Sequence, residues 1–167
     1  MNPNQQFLCT SKNNKDVYYD PIHSHAATHF NDAPELKDVV IEIITNKDLL
    51  GNKIEFDKDM SRVVGNMDVV DVDSTDDLLY AKRKNRNEYV PFTKSRTAQP
   101  TSFVSMGLIL KDESYELTSA WFGGFESPPF PGEASATQDS IDFWNKHAFV
   151  WGSQGVQEET ITYTCPW

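Results

Sequence analysis

A mixed α+β domain is what this sequence predicts, and three observations predict it. Apolar residues recur at helical spacing early in the chain, between Leu36 and Ile44. From Lys53 the period shortens to two, in strand-like runs joined by short polar turns as far as Phe122. A second helical stretch then follows the strands instead of alternating with them. Such segregation favours an antiparallel sheet of about four to six strands. The N-terminal helix or helices should cover one face, with a C-terminal helix at the other end of the chain.

The elements follow in order. Residues 1–6 are polar and read as a flexible tail. Phe7-Leu8-Cys9 is an anchor or short strand, and Val17-Tyr18-Tyr19 is a short segment stopped by Asp20-Pro21. The run His23 to Phe30 reads as a loop passing into a short helix. Asp32 is a plausible cap for the next helix, with Pro34 in its first turn. Leu36, Val39, Val40, Ile43 and Ile44 then make one apolar face, ending near Asn46.

Ile54 and Phe56 alternate with charged neighbours, and Met67 to Val72 follow a Gly65-Asn66 turn. Leu78–Lys84 reads as a strand and residues 85–100 as an irregular basic loop carrying Pro91 and Pro100. Residues 102–110 and 115–122 make the best hairpin signal, closed by Lys111-Asp112-Glu113-Ser114. Gly123-Gly124 and the Pro-rich run to Gly132 break regular structure. A last helix is expected over 137–149, and residues 150–167 form an extended tail packed on a single domain spanning 1–167.

Composition bounds the function. At 167 residues the chain is long enough to bury a real core, and 12% aromatic residues argue against disorder. A net charge of −10 disfavours non-specific binding to DNA or anionic membranes. No apolar run approaches the roughly 20 residues that span a bilayer, and no signal peptide is readable. A soluble, cytoplasmic protein with no membrane partner is expected. Cys9 and Cys165 form either a disulfide tying the termini, worth about 4–5 kcal/mol, or two free thiols, which a cytoplasmic compartment favours. No Walker loop, dinucleotide fingerprint or Gly-x-Ser-x-Gly elbow is present, so no cofactor is expected.

Three sets of residues can carry chemistry. His25 and His29 are four apart, one face of a helix, with His23 nearby. They suit a metal, a general acid or base, or plain loop packing. No Glu completes a His-Glu-x-x-His motif. Lys82, Arg83, Lys84, Arg86, Lys94 and Arg96 are six cations with Glu88 as the sole acid among them. This island in an acidic chain marks a place for an anion, RNA included, with Tyr89 and Phe92 placed to stack on bases. Equally, it is a solvated basic surface paired with the acids elsewhere. Thr118 and Ser119 add hydroxyls on a late strand, where Thr is also an ordinary strand former. Asp139, Asp142 and His147 on the last helix offer an acid–base pair, although Asp139 and Asp142 fit cap and solvent-face roles better.

The segments Phe143-Trp144-Asn145-Lys146-His147-Ala148-Phe149-Val150-Trp151-Gly152-Ser153 and Thr164-Cys165-Pro166-Trp167, with Leu79 to Arg86, resemble a family of small, uncharacterised bacterial proteins. That resemblance covers most of the chain and brings no function with it. More loosely, the layout resembles the barnase–EndoU–colicin–RelE group of RNase toxins, and Tyr115 to Trp121 is similar to its late strand. The resemblance implies metal-independent cleavage of an RNA phosphodiester. His25 or His29 would act as base, Lys82 or Arg83 as phosphate-stabilising cation, and Thr118 as the hydroxyl orienting a non-bridging oxygen. The alternatives are a non-catalytic acidic partner of a basic protein, of the immunity type, or a binder of a small ligand or metal.

Overall fold

The computed structural model describes residues 3–124, 127–152 and 155–167. Its elements run β1 (Gln6–Thr10), β2 (Asp16–Tyr19), α1 (His25–Asp32), α2 (Pro34–Thr45), β3 (Lys53–Asp59), β4 (Gly65–Met67) and β5 (Val69–Asp71). They continue with β6 (Leu78–Lys82), β7 (Tyr89–Thr93), β8 (Gln99–Thr101), β9 (Phe103–Lys111), β10 (Ser114–Phe122), α3 (Gln138–Trp144) and β11 (His147–Val150). The class is α+β. Strands are shared among sheets of five, four and two, and the chain divides into two compact units. No described helix is long and apolar enough to cross a membrane.

The first unit comprises Met1–Asn66 and Pro100–Phe125. Its five-stranded sheet has the order β1-β2-β10-β9-β3. The β9–β10 hairpin anchors it, closing through a tight turn with Asp112 at φ +57°. All neighbours are antiparallel except β2 and β10, which run parallel with Val17 beside Tyr115 and Tyr18 beside Glu116. Alternation along the strands sends Ile54, Phe56, Met106, Leu108 and Leu117 to one face, where α1 and α2 pack with Phe30, Leu36, Val40 and Ile44. The anticipated apolar face of α2 is the buried one. Its expected cap is not: Asp32 ends α1, and Ala33 precedes Pro34 with no side-chain capping bond.

Gly65 belongs to strand β4, not to a turn. A Cβ there would meet the Phe122 ring at 2.5–2.6 Å. Gly65→Ala should therefore overpack this corner and lower stability by about 1–3 kcal/mol. A coupled recovery in Gly65→Ala/Phe122→Leu, measured by urea denaturation, is the expected signature.

The second unit comprises Met67–Gln99 and Glu126–Trp167. Its four-stranded sheet has the order β5-β11-β7-β6. Residues 85–100, read as a loop, contain β7, which sits between two neighbours despite Pro91. Opposite Pro91, Tyr80 turns both backbone groups to Thr162 at 2.8 Å each, so no bond across that pair needs a proline N–H. The last helix also ends early, at Trp144, behind a Thr137–Ser140 capping box. Ala148 and Phe149 instead pair with Val70, Val69 and Phe92, a buried ladder that wins over helix propagation. The core stacks Phe92, Phe130, Trp144 and Phe149. The tail does extend along the sheet, bridging Tyr80 to Thr162 and Arg83 to Val156 on the free side of β6.

Candidate functional site

In the first unit, Ser24 caps α1 by accepting a hydrogen bond from Ala27 N (3.0 Å). Ala26, Ala27 and Phe30 bury one face of the helix, and Phe30 meets Tyr19 edge-on at 5.5 Å. The other face carries His25 and His29. Their rings stand perpendicular at 4.5 Å between centroids, and the two Nε2 atoms lie 3.1 Å apart. The spacing of four therefore delivers the paired imidazoles expected of it.

The third histidine stays apart in a turn. Asp20 Oδ1 accepts from Ile22 N (2.8 Å) and His23 N (2.9 Å), and Asp20 Oδ2 contacts His23 Nδ1 at 3.2 Å. Those backbone N–H groups hold the Asp20 carboxyl down at about 2. A depressed folded value means the carboxylate stabilises the fold fully above its unfolded pKa near 4 and loses that contribution as pH falls toward about 2. Asp20→Asn should accordingly be less stable than wild type at pH 7, with the two converging near pH 2 in thermal melts. A difference unchanged at low pH would contradict the assignment.

His25 also faces Trp121 of β10, with 6.2 Å between rings. Nothing in the spacing pointed to Trp121; only the packing of α1 on β10 brings it there. The same strand carries Thr118. The β9–β10 register slips between Leu117 and Ser119, so Thr118 is the extra residue of a bulge, a device that re-aims side chains. Its Oγ1 donates to Gly107 O at 3.1 Å. A Cβ at Gly107 would lie 2.8 Å from Ser119 Oγ and 3.4 Å from Thr118 Oγ1, so both hydroxyls overhang one small residue. Glu55 pairs across from Gly107 and Asp57 across from Ser105, both exposed on the sheet face away from the helices.

The basic positions and Tyr89 lie in the second unit. Arg96 is committed to structure: Nε donates to Asp76 Oδ1 (2.8 Å) and Nη2 to Asp76 Oδ2 (3.0 Å), which raises its pKa further. Arg83 is half-buried, its guanidinium 5.0 Å from the Phe130 ring and 5.2 Å from Phe149. Burial, then Arg86, pulls its pKa down, although a guanidinium stays charged. Lys82 reaches over Tyr89 (5.2 Å) and Lys94 over Trp151 (5.0 Å). Lys84 and Arg86 are exposed on a turn with Asn85 at φ +62°. Gln157 Nε2 steadies that turn by donating to Arg83 O (3.0 Å) and Arg86 O (2.8 Å).

No family model, curated protein or solved structure matches this chain. Both thiols are free: Cys9 is buried in the first unit, its pKa pushed up to about 11 by burial, and Cys165 is exposed in the tail. A Cys9 thiol so held is no nucleophile at neutral pH. His147 lies on β11, not on the last helix. It stacks on Phe143 at 3.9 Å and spans Phe143 O (2.8 Å) and Asp71 Oδ1 (2.9 Å), a structural bridge between α3 and β5. Asp142 accepts from Gln138 Nε2 (3.0 Å) on the surface of α3.

Proposed function

We propose that this protein cleaves RNA phosphodiesters by metal-independent transesterification, with the His25–His29 couple as its acid–base group. The observation that supports this reading is the Nε2–Nε2 contact of 3.1 Å on α1. In such a contact one ring offers a lone pair and the other a proton, so base and acid forms stand side by side. The ring with the lone pair takes the 2′-hydroxyl proton, and the 2′ oxygen attacks phosphorus. The bond from phosphorus to the 5′ oxygen then breaks. That oxygen receives a proton from the couple, leaving a 2′,3′-cyclic phosphate. Trp121, beside His25, supplies a flat face for a base. The bulged Thr118 and its neighbour Ser119 supply hydroxyls for a non-bridging oxygen.

The test is purified protein with total RNA in excess chelator. Cleavage is expected, and His25→Ala or His29→Ala should slow it by about 10²–10⁴-fold. Intact RNA with the wild-type protein would remove the reading.

A second reading, a non-catalytic partner of a basic protein, is favoured by the exposed Glu55 and Asp57 on the open sheet face. Its mark would be salt-sensitive binding of a lysine-rich peptide, weakened by Glu55→Lys/Asp57→Lys, from a protein that leaves RNA intact.

A further inference from the structure

We infer that His25 and His29 form a two-imidazole chelate for a divalent transition metal such as Zn²⁺ or Cu²⁺, exposed on α1. Two nitrogens 3.1 Å apart, each at the roughly 2.0–2.1 Å of a metal–imidazole bond, subtend an angle of about 100° at the ion. That lies between the octahedral and tetrahedral values, so one ion fits both nitrogens once each ring turns its Nε2 lone pair toward it. The matching atoms are the same on both rings: Nε2 meets Nε2. When the ion arrives, the ring that donates at Nε2 moves that proton to Nδ1 by exchange with water. Both Nε2 lone pairs then face the metal, and both rings stay neutral.

The two ligands are also preorganised. His25 and His29 are one helical turn apart on a segment fixed at its start by the Ser24 cap and along its back by buried Ala26, Ala27 and Phe30. The backbone carrying the two ligands is therefore already ordered before an ion binds. Among the described residues no set of three metal-ligating side chains gathers anywhere. From those residues the chelate is two-coordinate. Such a site exchanges its ion readily and ranks Cu²⁺ above Zn²⁺.

The inference is separate from RNA cleavage but bears on it. An ion on both lone pairs leaves no imidazole to accept the 2′-hydroxyl proton, so one equivalent of Zn²⁺ should abolish any activity seen in chelator. The binding itself is read without RNA. Chelator-stripped full-length protein is titrated with ZnCl₂ by calorimetry and with CuSO₄ by electron paramagnetic resonance, following Trp fluorescence as well. The expected result is uptake of one equivalent, a two-nitrogen copper spectrum, and quenching that Trp121→Phe diminishes. His25→Ala and His29→Ala should each weaken binding at least 10-fold, while His23→Ala, which alters only the Asp20 turn, leaves it unchanged. Circular dichroism and melting curves confirm that each variant is folded. Failure of the wild-type protein to take up zinc, or equal uptake by a folded His25→Ala/His29→Ala variant, would overturn the site. If zinc binds as described and RNA stays intact in chelator, the chelate stands and the cleavage reading falls.

Discussion

Trp144→Ala is expected to destabilise the second unit by about 3–5 kcal/mol, near the upper end for a single substitution. Trp144 is 1% exposed and stands among Phe130, Phe143 and Phe149 at centroid distances of 5.1, 5.0 and 5.5 Å. Removing it takes away a large buried surface and leaves a void that rings on three sides cannot close without leaving their rotamers. It also frees the Pro128 carbonyl, which accepts from the indole Nε1 at 3.3 Å. Hydrogen exchange should localise the loss: amides of β6, β7 and β11 lose protection as the midpoint in denaturant falls. Trp144→Phe should recover much of the loss, since it restores most of the volume. Protection unchanged in those strands would show that this aromatic stack does not hold the sheet together.

Removing residues 155–167 should have an effect of similar size and a different kind. The tail acts as a further strand on β6. Tyr80 and Thr162 exchange two backbone bonds of 2.8 Å, Gln157 N donates to Lys82 O (2.8 Å), and Lys84 N donates to Gly155 O (2.9 Å). Thr160 Oγ1 accepts from Lys82 N (2.9 Å), and Trp167 covers the Tyr80 ring at 5.2 Å. A chain ending at Gln154 exposes the row of backbone donors and acceptors on β6 together with the apolar surface beneath Trp167. Self-association that rises with concentration is expected in sedimentation, along with a lower melting temperature. A monomeric, equally stable truncated chain would contradict the tail's role. Pro substituted at Thr162, which removes one of the paired N–H groups without deleting the tail, should reproduce part of the effect.

Where local signals were strong, the chain was legible from its residues. The offsets of Leu36, Val39, Val40, Ile43 and Ile44 define the buried face of α2, because helical period and burial agree there. The β9–β10 hairpin is likewise local, two alternating runs around a polar turn. The misread segments are those in which a distant partner overrides local preference. Pro91 lies in a strand because Tyr80 looks away from it toward Thr162. Ala148 and Phe149 leave a plausible helix because Val69, Val70 and Phe92 offer them a buried ladder. For the candidate site, spacing alone placed two histidines on one face of α1. It gave no sign that Trp121 would stand beside His25, or that Arg96 would be taken up by Asp76.

The residues in their order determined the α+β class, the amphipathic helix, the hairpin and the imidazole pair, since each depends on neighbours within a few positions. Tertiary structure alone decided which strands share a sheet, and that residues 67–99 and 126–167 build a core of their own. It also decided which members of the basic island remain exposed. Those outcomes depend on groups far apart along the chain competing for the same hydrogen bonds, aromatic faces and carboxylates, and a linear pattern does not encode who wins.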